Sequence, residues 1–169
     1  MSRRTVISDA ATALIAHSGL RALTHRKVDA VLELPQGSTS YYFRTKADLV
    51  GAVAERVAEC SRSMFDALAF HGDVVDVTVR YMEQLIDERS DQLRARHALM
   101  IDPEVDAAVR ARLAGSVFSV DRALELFGDR ETAEGYVALC EGLVTLSLMG
   151  RQVSFRTPIA TYLNGSRAR

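Results

Sequence analysis

Apolar residues recur along the chain at the three-to-four spacing of an α-helix, and no stretch sustains the period-2 alternation of a strand. That pattern confines the 169 residues to an all-helical fold. The caps are written into the sequence too. A stripe of Val6, Ile7, Ala10, Ala11, Leu14 and Ile15 predicts a first helix from about Arg4 to His17, closed by Gly19. Thr24 suits the N-cap of a short second helix to Leu32, with Val28, Val31 and Leu32 facing inward. Pro35 suits the first position of a third helix, where its missing N–H costs nothing. Thr45 to Asp48 resembles a capping box that starts a long fourth helix to about Phe70.

The same punctuation continues through the body. Gly72-Asp73 separates the fourth helix from a fifth, Val74 to Met100. Asp102-Pro103-Glu104 predicts a sixth running to Gly128, Asp129 caps one from Arg130 to Arg151, and a short last helix spans Pro158 to Leu163 before a frayed GSRAR tail.

Net charge is -1, yet residues 1–50 hold seven Lys/Arg against four Asp/Glu, a net of +3 that leaves -4 for the remainder. A basic head on an acidic body points the head toward a polyanion. Cys60 and Cys140 stand 80 residues apart without metal-site neighbours, which implies reduced thiols and a cytoplasmic protein. The greasiest window, Tyr136 to Gly150, is interrupted by Glu141 and is too short to span a bilayer. The chain shows no Gly-rich phosphate loop, no metal spacing among His17, His25, His71 and His97, and no nucleophile motif, so the expectation is a non-enzyme without cofactor or metal.

Three helices within the first 43 residues, the second and third short and joined by a tight turn, read as a helix-turn-helix. A helix entering a major groove about 12 Å wide needs small residues at its leading edge. Gln36, Gly37, Ser38, Thr39 and Ser40 meet that need, while Tyr41 and Tyr42 offer hydroxyls to phosphates and Phe43 can anchor the helix inside. Lys46 is placed for the DNA backbone, and Thr24, His25 and Arg26 for the other side of the groove. GSTSYYF taken alone also fits a turn followed by core aromatics. The joint pattern of capped helix, turn, small-residue helix, aromatics and basic helix start favours DNA.

Residues from about Arg4 to Val53 resemble the DNA-binding domain of the TetR family of bacterial transcriptional regulators. The resemblance rests on Thr24, Gly37-Ser38, Tyr41-Tyr42-Phe43, Thr45-Lys46 and Asp48-Leu49-Val50. It implies DNA contact by His25, Arg26, Gln36, Gly37, Ser38, Ser40, Tyr42 and Lys46. Two positions depart from the family pattern: Glu33 holds the turn position of a customary glycine, and Ser40 that of a customary tyrosine.

The expected organisation is therefore a helix-turn-helix DNA-binding domain over 1–46 and a helical effector-binding and dimerisation domain over 47–169. Because one such head reads few base pairs, a homodimer on a palindromic double-stranded operator is expected. The Arg130–Arg151 helix is apolar on two faces; Tyr136, Leu139, Leu143 and Leu146 are the expected seam, with Gly142, Thr145 and Ser147 small enough for close approach. The resemblance implies a ligand cavity in the body. Met64, Phe65, Leu68, Met82, Leu85, His97, Met100 and Phe118 are its candidate lining, suited to an apolar or aromatic effector. The resulting reading is a repressor released by a small apolar ligand. A helical interaction or ligand-binding module with weak or lost DNA binding is the alternative.

Overall fold

The computed structural model describes residues 1–68 and 72–167. The expected helix end at Phe70, His71, and the last tail residues Ala168 and Arg169 lie outside them. Among the described residues there is no strand. The chain forms α1 (Arg3–Ser18), a 3-10 turn at Leu20–Ala22, α2 (His25–Val31), α3 (Ser38–Tyr42), α4 (Lys46–Leu68) and α5 (Val74–Ile101). There follow α6 (Ala107–Ala114), α7 (Val120–Phe127), α8 (Arg130–Leu148) and α9 (Arg156–Arg167).

Most caps act where the sequence places them. The Thr24 hydroxyl accepts from the Lys27 amide, and Asp129 from that of Thr132. Thr45 and Asp48 form a reciprocal box: each side chain accepts from the other's backbone N–H, at 2.9 and 3.0 Å.

Five local expectations change, the simplest being the last helix, which runs from Arg156 to Arg167 through residues expected to fray. The third helix begins at Ser38 and not at Pro35: Gly37 stands at φ 95°, and the Pro35 carbonyl accepts from both the amide and the hydroxyl of Ser38 in a turn. The sixth expected helix starts late, at Ala107, and is broken in two. Buried Arg96 donates to the Leu113 and Ala114 carbonyls at 2.8 and 3.0 Å and so satisfies the end of α6, while Ser119 caps α7. α5 leaves helical geometry at Arg89, with φ -136° and ψ 23°. Val31, expected inside, is 56% exposed.

The chain divides into two compact units, Met1–Cys60 with Asp91–Ala114, and Ser61–Ser90 with Gly115–Arg169. The division differs from a boundary at residue 46 because α4 carries Val50, Val53, Ala54 and Val57 into the core of the first unit, with Ile7, Ile15, Leu23, Phe43, Leu99 and Leu113. The second unit buries Met82 and Leu85 from α5, Tyr136, Cys140, Leu143 and Val144 from α8, and Ile159 and Leu163 from α9. There α9 is locked onto α8 at one point. Tyr162 passes over Gly135 to donate to the Thr132 carbonyl at 2.8 Å, and a β-carbon at 135 would collide with that hydroxyl.

Candidate functional site

A helix as short as α3 is not stable alone, and in the first unit both its ends are tied by side chains from other elements. At the N-terminal end, Asp29 of α2 accepts from the Gly37 amide through Oδ2, and from the Thr39 amide and hydroxyl through Oδ1, at 2.8, 2.8 and 2.6 Å. Asp29 is 3% exposed. Burial by itself would raise its pKa, but the bonds from Thr39 and Gly37 outweigh that and hold the carboxyl below its ordinary value.

At the C-terminal end, the Arg4 guanidinium of α1 donates to the Tyr42 carbonyl at 2.8 Å and sits 4.3 Å over the Phe43 ring. His25 Nε2 lies 2.7 Å from the Phe43 carbonyl; since a carbonyl only accepts, this nitrogen carries the proton. Lys46 Nζ donates to the Leu20 carbonyl at 2.9 Å, binding the start of α4 to the 3-10 turn. The turn between α2 and α3 puts Glu33 at φ 51°, a left-handed conformation ordinarily left to glycine.

This scaffold leaves a defined set of groups facing solvent. Thr24, Arg26, Gln36, Gly37, Ser40, Tyr41 and Lys46 are exposed, Tyr41 by 82%. His25, Ser38 and Tyr42 are half-buried. Thr39 is fully buried and spends its hydroxyl on Asp29, so in this geometry it positions α3 and presents nothing to a groove. Phe43 is the internal anchor, 2% exposed. Sequence reasoning missed Arg4 and Asp29 as functional positions. A carboxylate on the inward face of a short helix was the available signal for Asp29; Arg4 gave none, because its partner is a main-chain carbonyl.

Within the second unit lies a cavity of about 480 Å³. Phe65, Tyr81 and Phe118 form its aromatic wall in successive edge-to-face contacts at 5.5 and 5.7 Å. Thr78 and Tyr136 also line it, their hydroxyls 2.6 Å apart. Of the expected lining residues, Phe65 and Phe118 border the cavity. Met82 and Leu85 are buried in the second unit, Met64 and Leu68 are half-buried, and His97 and Met100 belong to the first unit.

The expected seam residues of α8 also part company. Tyr136 and Leu143 are buried, Leu139 is half-buried and Leu146 is 39% exposed. Ala138, Gly142, Leu146 and Met149 share the outward face, Met149 being 73% exposed. Two apolar faces were legible in the sequence; which one the unit itself covers was not.

Among the described residues, no helix is long and apolar enough to cross a membrane. No family model and no curated protein matches the chain. Solved structures do. A TetR-family member from Streptomyces coelicolor A3 (SCO1917) superposes with a TM-score of 0.80 at 22% identity, over 97% of this chain and 98% of that one. The multidrug binding protein EbrR in complex with malachite green gives 0.76 at 24% identity, over 96% and 98%. A transcriptional regulator from Rhodococcus sp. Rha1 gives 0.70 at 18% identity, over 98% and 91%. These superpositions cover nearly the whole chain, and the chain has the TetR-family fold.

Proposed function

We propose that this protein is a TetR-family transcriptional regulator, a homodimeric repressor that reads a palindromic operator and is released by a small apolar effector. The observation that carries the reading is α3. Its backbone is tied at both ends by Asp29, Arg4 and His25, while Gln36, Ser40 and Tyr41 are exposed, as are the cations Arg26, Arg44 and Lys46. Gln36 is the base reader of this set, since a carboxamide can bond adenine bidentately. Arg26, Tyr42 and Lys46 serve the phosphates. The TetR-family fold of the regulators described above supports the same assignment.

The cavity of the second unit is the effector site, as EbrR holds malachite green in its own structure. The exposed face of α8 through Leu146 and Met149 is the dimer seam. Release is a population shift: the effector acts only by binding the non-DNA conformation more tightly than the DNA-competent one. Selection of bound fragments from random duplex DNA tests the reading. Recovery of a palindrome is expected; an unenriched pool would leave the helical interaction module as the better account.

A further inference from the structure

Taking the cavity of the second unit as the effector site, we propose that it recognises an uncharged aromatic ligand bearing one hydrogen-bonding oxygen, with Thr78 and Tyr136 as the polar anchor. The aromatic wall of Phe65, Tyr81 and Phe118 selects a flat apolar body. Against that wall the Thr78–Tyr136 pair supplies polar capacity. Each hydroxyl holds one proton and two lone pairs; the bond between them uses one proton, the other O–H has the Cys140 thiol as its partner, and lone pairs remain to accept. The Tyr81 hydroxyl, by contrast, donates to the Val117 carbonyl at 3.0 Å.

The Cys140 thiol lies one turn along α8 from Tyr136. Burial pushes it up to about 12, so it stays a neutral thiol, a weak partner that a ligand oxygen outcompetes. Burial likewise raises the Tyr136 phenol well above its ordinary range, so the anchor is uncharged at any physiological pH.

Among the described lining residues, charge enters only at exposed positions, and there the formal charges cancel. The lining holds two cations, Arg62 and Arg122, and two carboxylates, Asp66 and Glu125. Arg122 bonds Asp66 at 3.0 Å and lies 4.7 Å over the Phe65 ring, so its charge is already engaged. A charged ligand entering the cavity gives up hydration and meets no buried counter-charge among the described lining residues, whereas a neutral one gives up little. Tyr136, read from sequence as a seam residue, is thereby reassigned to ligand choice.

Equilibrium dialysis of the full chain against naphthalene, 2-naphthol, 2-naphthoate and proflavin tests this. The neutral alcohol is expected to bind about tenfold more tightly than naphthalene, and more tightly than the anion or the cation. Tyr136→Phe and Thr78→Val, on different helices, should each cut the 2-naphthol to naphthalene ratio below about threefold, while Thr78→Ser keeps it. Tighter binding of 2-naphthoate or proflavin, equal affinities, no binding of any probe, or a ratio that neither variant moves would overturn the proposal. DNA binding with each probe separates the two levels. Release by a charged probe keeps the effector reading and sinks this one; tight 2-naphthol binding without release does the reverse.

Discussion

Asp29 and Glu33 stand four residues apart, and each departs from what its position would ordinarily hold. Asp29 is a buried carboxylate satisfied by three donors. Replacing it with Asn turns Oδ2, which accepts from the Gly37 amide, into a site that can hold a second donor. Asp29→Asn should therefore cost about 1–3 kcal/mol at neutral pH, measured by urea unfolding. The folded pKa of Asp29 lies below its unfolded value, so its contribution is full above the ordinary aspartate range and is lost as pH falls through the folded value. The gap between wild type and Asp29→Asn should accordingly narrow in acid; a constant gap would show that the carboxylate charge is irrelevant. Glu33 holds a left-handed conformation at φ 51°. Glu33→Gly should raise stability by about 0.5–1 kcal/mol by relieving it, and an unchanged or lower unfolding midpoint would contradict that.

At the scale of elements, the sequence carried caps and periodicity well because these depend on a few neighbouring residues. Thr24, the Thr45–Asp48 box and Asp129 act where they were placed. It failed where a distant group decides. The end of α6 depends on the Arg96 guanidinium, from a different helix, and the start of α3 depends on Asp29 and the left-handed Gly37. The faces of α8 are the same lesson: Leu143 and Leu146 look alike in sequence, yet one is buried and the other exposed. Leu143→Glu should unfold the protein, a buried unpaired charge costing about 3–5 kcal/mol. Leu146→Glu should keep the helical signal and halve the mass in solution. A folded Leu143→Glu, or a Leu146→Glu that stays dimeric by light scattering, would move the seam elsewhere. Gly135→Ala should lower the unfolding temperature, since the new methyl meets the Tyr162 hydroxyl; a neutral effect would mean that α9 shifts freely.

For the whole molecule, the all-helical class and the exposed groups around α3 were legible from periodicity and small-residue spacing. The cavity was not, because its walls come from helices far apart in sequence: Phe65 on α4, Tyr81 on α5, Phe118 before α7 and Tyr136 on α8. Only Phe65 and Phe118 among the expected lining residues border it. In the proposed mechanism α3 is held rigid by its ties so that Gln36 reads bases while nearby cations hold phosphates. The most direct test is a salt titration of wild type, Gln36→Ala and Lys46→Ala on the selected palindrome and on a scrambled duplex. Wild type should prefer the palindrome. Gln36→Ala should lose about 1–3 kcal/mol of that preference with an unchanged salt slope, and Lys46→Ala should weaken both duplexes alike with a shallower slope. Equal losses on both duplexes for Gln36→Ala would contradict the claim.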